Sequence, residues 1–330
     1  MRTPGFWAQM PPSPLARLLA PAGAVYGRFT AKRMDRPGEQ AACPVLCIGN
    51  LTLGGAGKTP TALRIAAMLR AQGKQPVFLS RGYGGRERGP LVVDPTLRNA
   101  DAVGDEPLLL ARIAPTVVAR DRPAGARLCV AQGADVIVMD DGLQNPSLAK
   151  DLSLVAVDAG SGIGNGLTFP AGPLRVPLAQ QWPHVGGIVM IGDGAPGEAV
   201  AREAERRGLP VHRGKLIPQA DHGLEGRPIF AFAGIGRPEK FFDTLRSMGA
   251  DLAGTQVFGD HHRFSQSDLA GLADAASRVG ATLVTTEKDA VRLPRAFAQT
   301  LAVRLVFDDE TALRAQIAAM LRSRPASLQA

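Results

Sequence analysis

Cysteine is scarce in this 330-residue chain: Cys43, Cys47 and Cys129 are the only three, and no Cys-x-x-Cys pair occurs. A disulfide framework is thereby excluded, and the apolar runs around Cys47 and Cys129 mark them as small core residues in a reducing compartment. Aromatic residues amount to 5% and interleave no basic stripe; with zinc-finger spacing also missing, nucleic acid is not an expected partner. No uncharged apolar run approaches the roughly 18 residues that a membrane-spanning helix needs. Internal repeats and low-complexity segments are absent too. Acids are the minority charge, 30 against 38 bases, and the net +8 favours polyanions, anionic lipid surfaces or phosphorylated ligands. What is there, 45% hydrophobic and 21% charged residues, is ordinary for an α/β protein of one large domain or two.

One stretch organises the chain. An apolar run stops at Gly49-Asn50 and passes into Leu51-Thr52-Leu53-Gly54-Gly55-Ala56-Gly57-Lys58-Thr59, after which Pro60 opens a helical pattern of Ala62, Leu63, Ile65, Ala66, Met68 and Leu69. Strand, glycine-rich loop and helix in that order build a phosphate cradle. Backbone N–H groups turn inward, and the helix N-terminus adds its positive end. Thr52, Leu53, Gly54, Gly55, Ala56, Gly57, Lys58 and Thr59 are therefore expected to hold ATP, with Lys58 at the β- and γ-phosphates and the Thr59 hydroxyl on Mg²⁺. Thr52 stands where the motif's first glycine is usual. The other half of the site is expected at 134–141, a buried strand ending in Asp140-Asp141, whose carboxylates would hold Mg²⁺ directly or through water.

Further strands are expected at 75–80, 115–119, 152–158 and 187–191, alternating with helices, which predicts a doubly wound, mostly parallel sheet of P-loop NTPase type. Arg81, in the glycine-rich loop after 75–80, either meets a phosphate or is a solvated loop arginine. Asp105 in Gly104-Asp105-Glu106-Pro107 reads as a helix N-cap, although a capping acid can also do chemistry. The pattern loosens over 214–227, which is expected to link a domain at 37–213 to a smaller α/β domain at 228–330. Strands are expected there at 228–233, 252–258, 281–286 and 301–307. His261 and His262 stand together at a strand end, with no Cys or His spacing to complete a metal site.

Residues 1–36 form a third part. Phe6, Trp7, Leu15, Leu18, Leu19, Val25, Tyr26 and Phe29 are interspersed with Arg2, Arg17, Arg28, Lys32, Arg33 and Arg36 against one acid, Asp35. Pro21 and Gly23 are expected to interrupt the middle. Arg17 inside the apolar run and the basic cluster after it fit a cleaved signal peptide poorly. Two readings stand at this point: a membrane-interface helix facing lipid phosphates, or a helix packed on the globular body with solvated charges.

With these pieces placed, the sequence resembles the tetraacyldisaccharide 4′-kinase (lipid A 4′-kinase) family over nearly its whole length. The resemblance is carried by the loop 49–60, Ser80-Arg81-Gly82-Tyr83-Gly84, Gly104-Asp105-Glu106-Pro107 and Asp140-Asp141-Gly142-Leu143-Gln144. It continues in Phe169-Pro170-Ala171-Gly172-Pro173-Leu174-Arg175, Asp260-His261-His262 and Thr286-Glu287-Lys288-Asp289-Ala290. Thr52 belongs to this family's variant of the loop. The resemblance implies MgATP-dependent phosphorylation of the 4′-hydroxyl of an acylated glucosamine disaccharide 1-phosphate at the cytoplasmic face of the bacterial inner membrane. It also implies a peripheral protein docked on an anionic membrane through the N-terminal segment, and a monomer is expected. Carried over residue by residue, Asp105 would be the base, His261 its dyad partner and Lys58 a catalytic cation. Asp140 and Asp141 would stand at the metal, and Arg81, Gln144 and Arg175 at the substrate. Two positions depart from the family pattern: Asn145 replaces a usual His and Val176 a usual Glu. The alternative from another class is a membrane-associated partitioning or targeting ATPase, but Leu53 stands where those carry a signature lysine.

Overall fold

The computed structural model describes residues 4–219 and 223–323; Arg2 and part of the expected linker lie outside the described residues. Short apolar runs bounded by glycine, proline and acids form the strands β1 Val45–Gly49, β2 Pro76–Ser80, β3 Leu91–Val92, β4 Thr116–Val118, β5 Val136–Asp140, β6 Leu152–Asp158 and β7 Gly187–Ile191. They are followed by β8 Val211–Pro218, β9 Pro228–Ala233, β10 Asp251–Val257, β11 Thr282–Thr286, β12 Gln299–Leu301 and β13 Val303–Phe307. Every residue of β1, β2, β5, β6 and β7 is buried, as expected for parallel strands covered by helices on both faces.

Among the described residues the strands make two sheets. The larger has the order β13-β8-β7-β6-β1-β5-β2-β4-β3, parallel from β8 to β4 and closed at both edges by an antiparallel strand. The smaller, β10-β9-β11-β12, is parallel throughout. The strand order reverses at β1, the arrangement in which doubly wound sheets open a ligand crevice at their carboxyl ends. The loop 50–57 begins at that edge, and Asp140 ends the neighbouring β5.

Three differences from the sequence reading have physical causes. The single strand expected over 301–307 is two strands in two sheets, with the chain crossing at Ala302. Its last piece and the helix Thr311–Arg322 return to the large sheet, where Leu305, Phe307, Leu313, Ile317 and Met320 join the core beneath the loop's helix. The expected linker likewise starts inside β8. Arg213 and Lys215 gave that strand a polar look, and the structure pairs them with Glu198 and Asp193.

The third concerns the N-terminus, where helix α1, Pro14–Met34, runs unbroken through Pro21. Its small face, Ala16, Gly23, Gly27 and Ala31 with Met34, is buried. A Cβ on Gly23 would stand 2.6 Å from the Thr168 carbonyl oxygen, and one on Gly27 2.7 Å from Pro177, so both glycines are required by close approach. Trp7 is buried ahead of α1, and its indole donates to the Pro170 carbonyl at 3.1 Å. The opposite side of α1 exposes Leu15, Leu18, Val25, Tyr26 and Phe29, and Arg17, Arg28, Lys32, Arg33 and Arg36 are exposed as well. One face therefore packs on the body, as the second reading expects, and the other is apolar and open. No helix among the described residues is long and apolar enough to cross a membrane.

Candidate active site

The glycine-rich loop leads into helix α2, Lys58–Ala71, whose N-cap is Gly57 in the left-handed region at φ 85°. A Cβ there would meet Ile191 at 2.3 Å, so backbone and packing both demand glycine. Gly55 is the reverse case: a Cβ would meet nothing within 4 Å. The loop is braced from behind. Asn50 donates to the Thr52 and Gly54 carbonyls at 2.6 and 3.2 Å, and the Leu53 amide donates to the Pro173 carbonyl at 2.7 Å. Segment 168–175 is thus tied to the cradle on one side and to Trp7 and α1 on the other.

Asp140 and Asp141 receive opposite environments. Asp141, at φ 52°, takes a two-pronged contact from Arg175 (2.8 and 3.2 Å) and lies 3.7 Å from the Lys58 ammonium. Burial alone would raise its carboxyl, but Lys58 and Arg175 outweigh it and hold the group at about 2. Asp140 is 3% exposed, and its Oδ1 is buried without a hydrogen-bond partner. Burial first, and Asp141 second, push its carboxyl up to about 7. A buried carboxylate oxygen without a donor could take a cation as its partner. Thr59 sits in the same first turn of α2 as Lys58. Among the described residues no group of three or more His, Cys, Asp or Glu side chains is placed to hold a metal ion.

Asp105 is not a helix cap. Gly104 is the N-cap, and Asp105 is the first residue of helix Asp105–Leu110 and makes no side-chain cap bond. Its carboxylate instead faces the smaller sheet, where Oδ2 lies 2.8 Å from His261 Nδ1 and 3.4 Å from Arg292 Nε. His261 has φ 58°, one of three non-glycine left-handed residues among the described ones, and Asp141 is another. Such conformations are costly and concentrate at functional sites. The two adjacent histidines part company here. His262 stacks on Phe258 at 4.7 Å and meets Asp268 at 3.1 Å within its own unit, away from Asp105.

The three substrate candidates divide as well. Arg81 is exposed. Arg175 donates to the Thr52 carbonyl at 3.0 Å besides holding Asp141, and Gln144 donates to the Asn50 carbonyl at 2.7 Å. Both brace the loop in this structure. At the two departures, Asn145 folds back on Ser147 in a local turn, and Val176 is buried in the core against the N-terminal segment. Sequence reasoning missed Arg292, and Arg122, which is almost fully buried and reaches toward the Leu79 and Asp140 carbonyls at 3.5 and 3.4 Å. Arg292 had a faint signal: it lies three residues after Asp289, the spacing of the ion pair it forms at 2.7 Å.

The family model described as Tetraacyldisaccharide-1-P 4'-kinase matches residues 15–322. A protein of Methylorubrum extorquens (strain PA1) named tetraacyldisaccharide 4'-kinase is 66% identical over 322 residues, spanning 97% of this chain and 98% of that protein. One of the same name from Rhodopseudomonas palustris (strain BisB5) is 53% identical over 322 residues, 95% of each. Among solved structures, the chain is similar to LpxK from Aquifex aeolicus, crystallised in complex with ATP. The TM-score is 0.74 at 23% identity, covering 93% of this chain and 99% of that one, a likeness that bears on the fold.

Proposed function

The chain belongs to the tetraacyldisaccharide-1-P 4′-kinase family, and on that premise we propose how its own residues carry the γ-phosphoryl group of ATP to the 4′-hydroxyl of the lipid disaccharide. It is a kinase of lipid A biosynthesis, and the partitioning-ATPase alternative is set aside by the match. The observation that carries the residue-level reading is the 2.8 Å contact between Asp105, at the start of the helix Asp105–Leu110, and His261, in the turn after β10; Glu106, next to Asp105, is near enough to Lys58 to act on its charge. The loop amides and Lys58 cradle the phosphates. Asp105 takes the proton of the 4′-hydroxyl, and that oxygen forms its bond to the γ-phosphorus. The bond to the bridging oxygen breaks with its electron pair left on ADP. Phosphoryl transfer leaves little covalent work, so positioning and charge neutralisation supply most of the rate.

Asp140 and the Thr59 hydroxyl would hold Mg²⁺, and Asp141 is available to it on release from Arg175. The ion supplies charge neutralisation at the phosphate oxygens when bound. Asp140→Asn separates this role from folding. Because burial raises the folded-state carboxyl above its unfolded value, its destabilisation is absent at low pH and grows as pH rises toward about 7. The expected outcome at pH 8 without metal is a higher Tm than the parent, by roughly 2–4 °C per kcal/mol relieved. Mg²⁺-dependent turnover should be lost. Calorimetry with and without Mg²⁺ checks it; an unchanged Mg²⁺ dependence of turnover would remove Asp140 from the metal site.

The acylated substrate resides in a bilayer, since extracting its chains costs ~0.8 kcal/mol per CH₂. We infer that α1 docks there by its open apolar face, with its basic residues toward anionic headgroups at about 1 kcal/mol each, screened as salt rises. The pair Leu18→Glu and Phe29→Glu leaves the packed glycine face intact. At roughly 1.5–3 kcal/mol per buried apolar side chain, it should weaken vesicle co-sedimentation at least tenfold while sparing ATP affinity. Unchanged co-sedimentation on anionic vesicles would leave α1 a purely structural helix.

A further inference from the structure

Thr286-Glu287-Lys288-Asp289-Ala290 stands out in sequence, and the mechanism above gives it no task. The structure divides its labour. The Thr286 hydroxyl caps the short helix Glu287–Ala290, accepting from the Asp289 amide at 3.1 Å and donating to its carboxylate at 2.6 Å. Asp289 is fully buried, and its Oδ1 accepts from the Gly234 amide at 3.0 Å and from Arg292 at 2.7 Å. Arg292 in turn donates to the His262 carbonyl at 2.8 Å and the Gly234 carbonyl at 3.2 Å, fastening the histidine loop to the ends of β9 and β11. Glu287 accepts from the Val303 amide at 3.1 Å, where the chain has just crossed between sheets. These are holding contacts. Lys288 is different, because its ammonium lies 3.2 Å from His261 Nε2, on the ring edge opposite Asp105.

We propose that Lys288 is a positioning residue that fixes the tautomer of His261, donating to Nε2 so that the ring proton sits on Nδ1 and is given to Asp105. An ammonium has three donors and no lone pair, so this hydrogen bond requires the lone pair of Nε2. The second contact selects the same form: Nδ1 faces a carboxylate oxygen at 2.8 Å and must donate to it. The other tautomer would set two donors head to head on one edge and two acceptors on the other.

The charged groups around the ring agree. Asp105 and Arg292 face Nδ1, Lys288 faces Nε2, Asp260 Oδ1 lies 3.8 Å from Nε2, and Tyr83 flanks the ring at 5.6 Å between centroids. Lys288 is itself held by Glu106 at 3.0 Å and Asp260 at 3.8 Å. Against the lowering effect of burial, those acids keep it more basic than an ordinary lysine, and so charged. The consequence is a division of roles. With its one lone pair occupied, His261 cannot take the sugar proton, and Asp105 is left as the acceptor. This rests on the reading of Asp105 as the base.

Nitrogen-15 NMR of histidine-labelled protein, with His261→Gln to assign the signal, tests it. The neutral ring of the parent should be the tautomer with Nδ1 protonated and Nε2 unprotonated. In Lys288→Met, where nothing holds Nε2 as an acceptor, the Nε2-protonated tautomer should appear beside it. Lys288→Arg should keep the parent pattern. In turnover, Lys288→Met should lower kcat roughly tenfold with the KM for ATP within about twofold, and Lys288→Arg should restore most of kcat. The Nε2-protonated tautomer in the parent, or the same nitrogen shifts in Lys288→Met as in the parent, overturns the proposal. If Lys288→Met does not fold, the parent spectrum and Lys288→Arg still decide. Asp105→Asn turnover is read separately: full activity there removes the base and not the tautomer.

Discussion

Replacing Lys58 with alanine is expected to cut turnover by roughly 10²–10³ or more while the protein stays folded. Its ammonium is largely buried at the start of α2, where burial lowers its pKa and Asp141 opposes that. The loss of a cation beside a buried acid would ordinarily unfold something. Here the two-pronged Arg175 contact remains on Asp141, so that carboxylate keeps a partner. The variant should therefore melt close to the parent and bind ATP more weakly. Calorimetry paired with a kinase assay checks both halves, and turnover within a few-fold of the parent would take Lys58 out of the phosphate site.

The dyad is expected to act as one unit. Asp105→Ala should cost about 10²–10⁴ in kcat, as for loss of a general base, and His261→Ala somewhat less. The double variant should lose little more than Asp105→Ala alone, because a residue that orients another has nothing left to orient. Fully multiplicative losses would give the two residues independent roles. Asp105→Ala with kcat intact and stability lost would leave its contacts to His261 and Arg292 as structural ion pairs. His262→Ala is the control: its partners are Phe258 and Asp268, so it should lose stability ahead of kcat.

The central strands were legible because β1, β2, β5, β6 and β7 are buried throughout and read as near-continuous apolar runs. The phosphate loop was legible for a local reason: its chemistry lies in consecutive residues. Strands toward the margins of the sheets were harder. β8 carries charges that surface partners satisfy, and the run 299–307 gives no sign that Ala302 is where the chain changes sheets. Pro21 misled because a helix anchored by close glycine contacts tolerates it. Asp105 looked like a cap since helix starts favour acids, and only tertiary structure sends its side chain across to His261. Long-range pairs such as Lys288 with His261 and Arg292 with Asp105 leave no trace in spacing. The two acids Asp140 and Asp141 at the end of β5 could be named together, but only burial and partners separate Asp140, orphaned, from Asp141, clamped.

The most direct test of the account is a single-turnover reaction with enzyme in excess over [γ-³²P]ATP and vesicles of tetraacyldisaccharide 1-phosphate. The account predicts label on the lipid as a 4′-phosphomonoester, formed in one phase and missing with Lys58→Ala. Label recovered as inorganic phosphate, with none on the lipid, would contradict it.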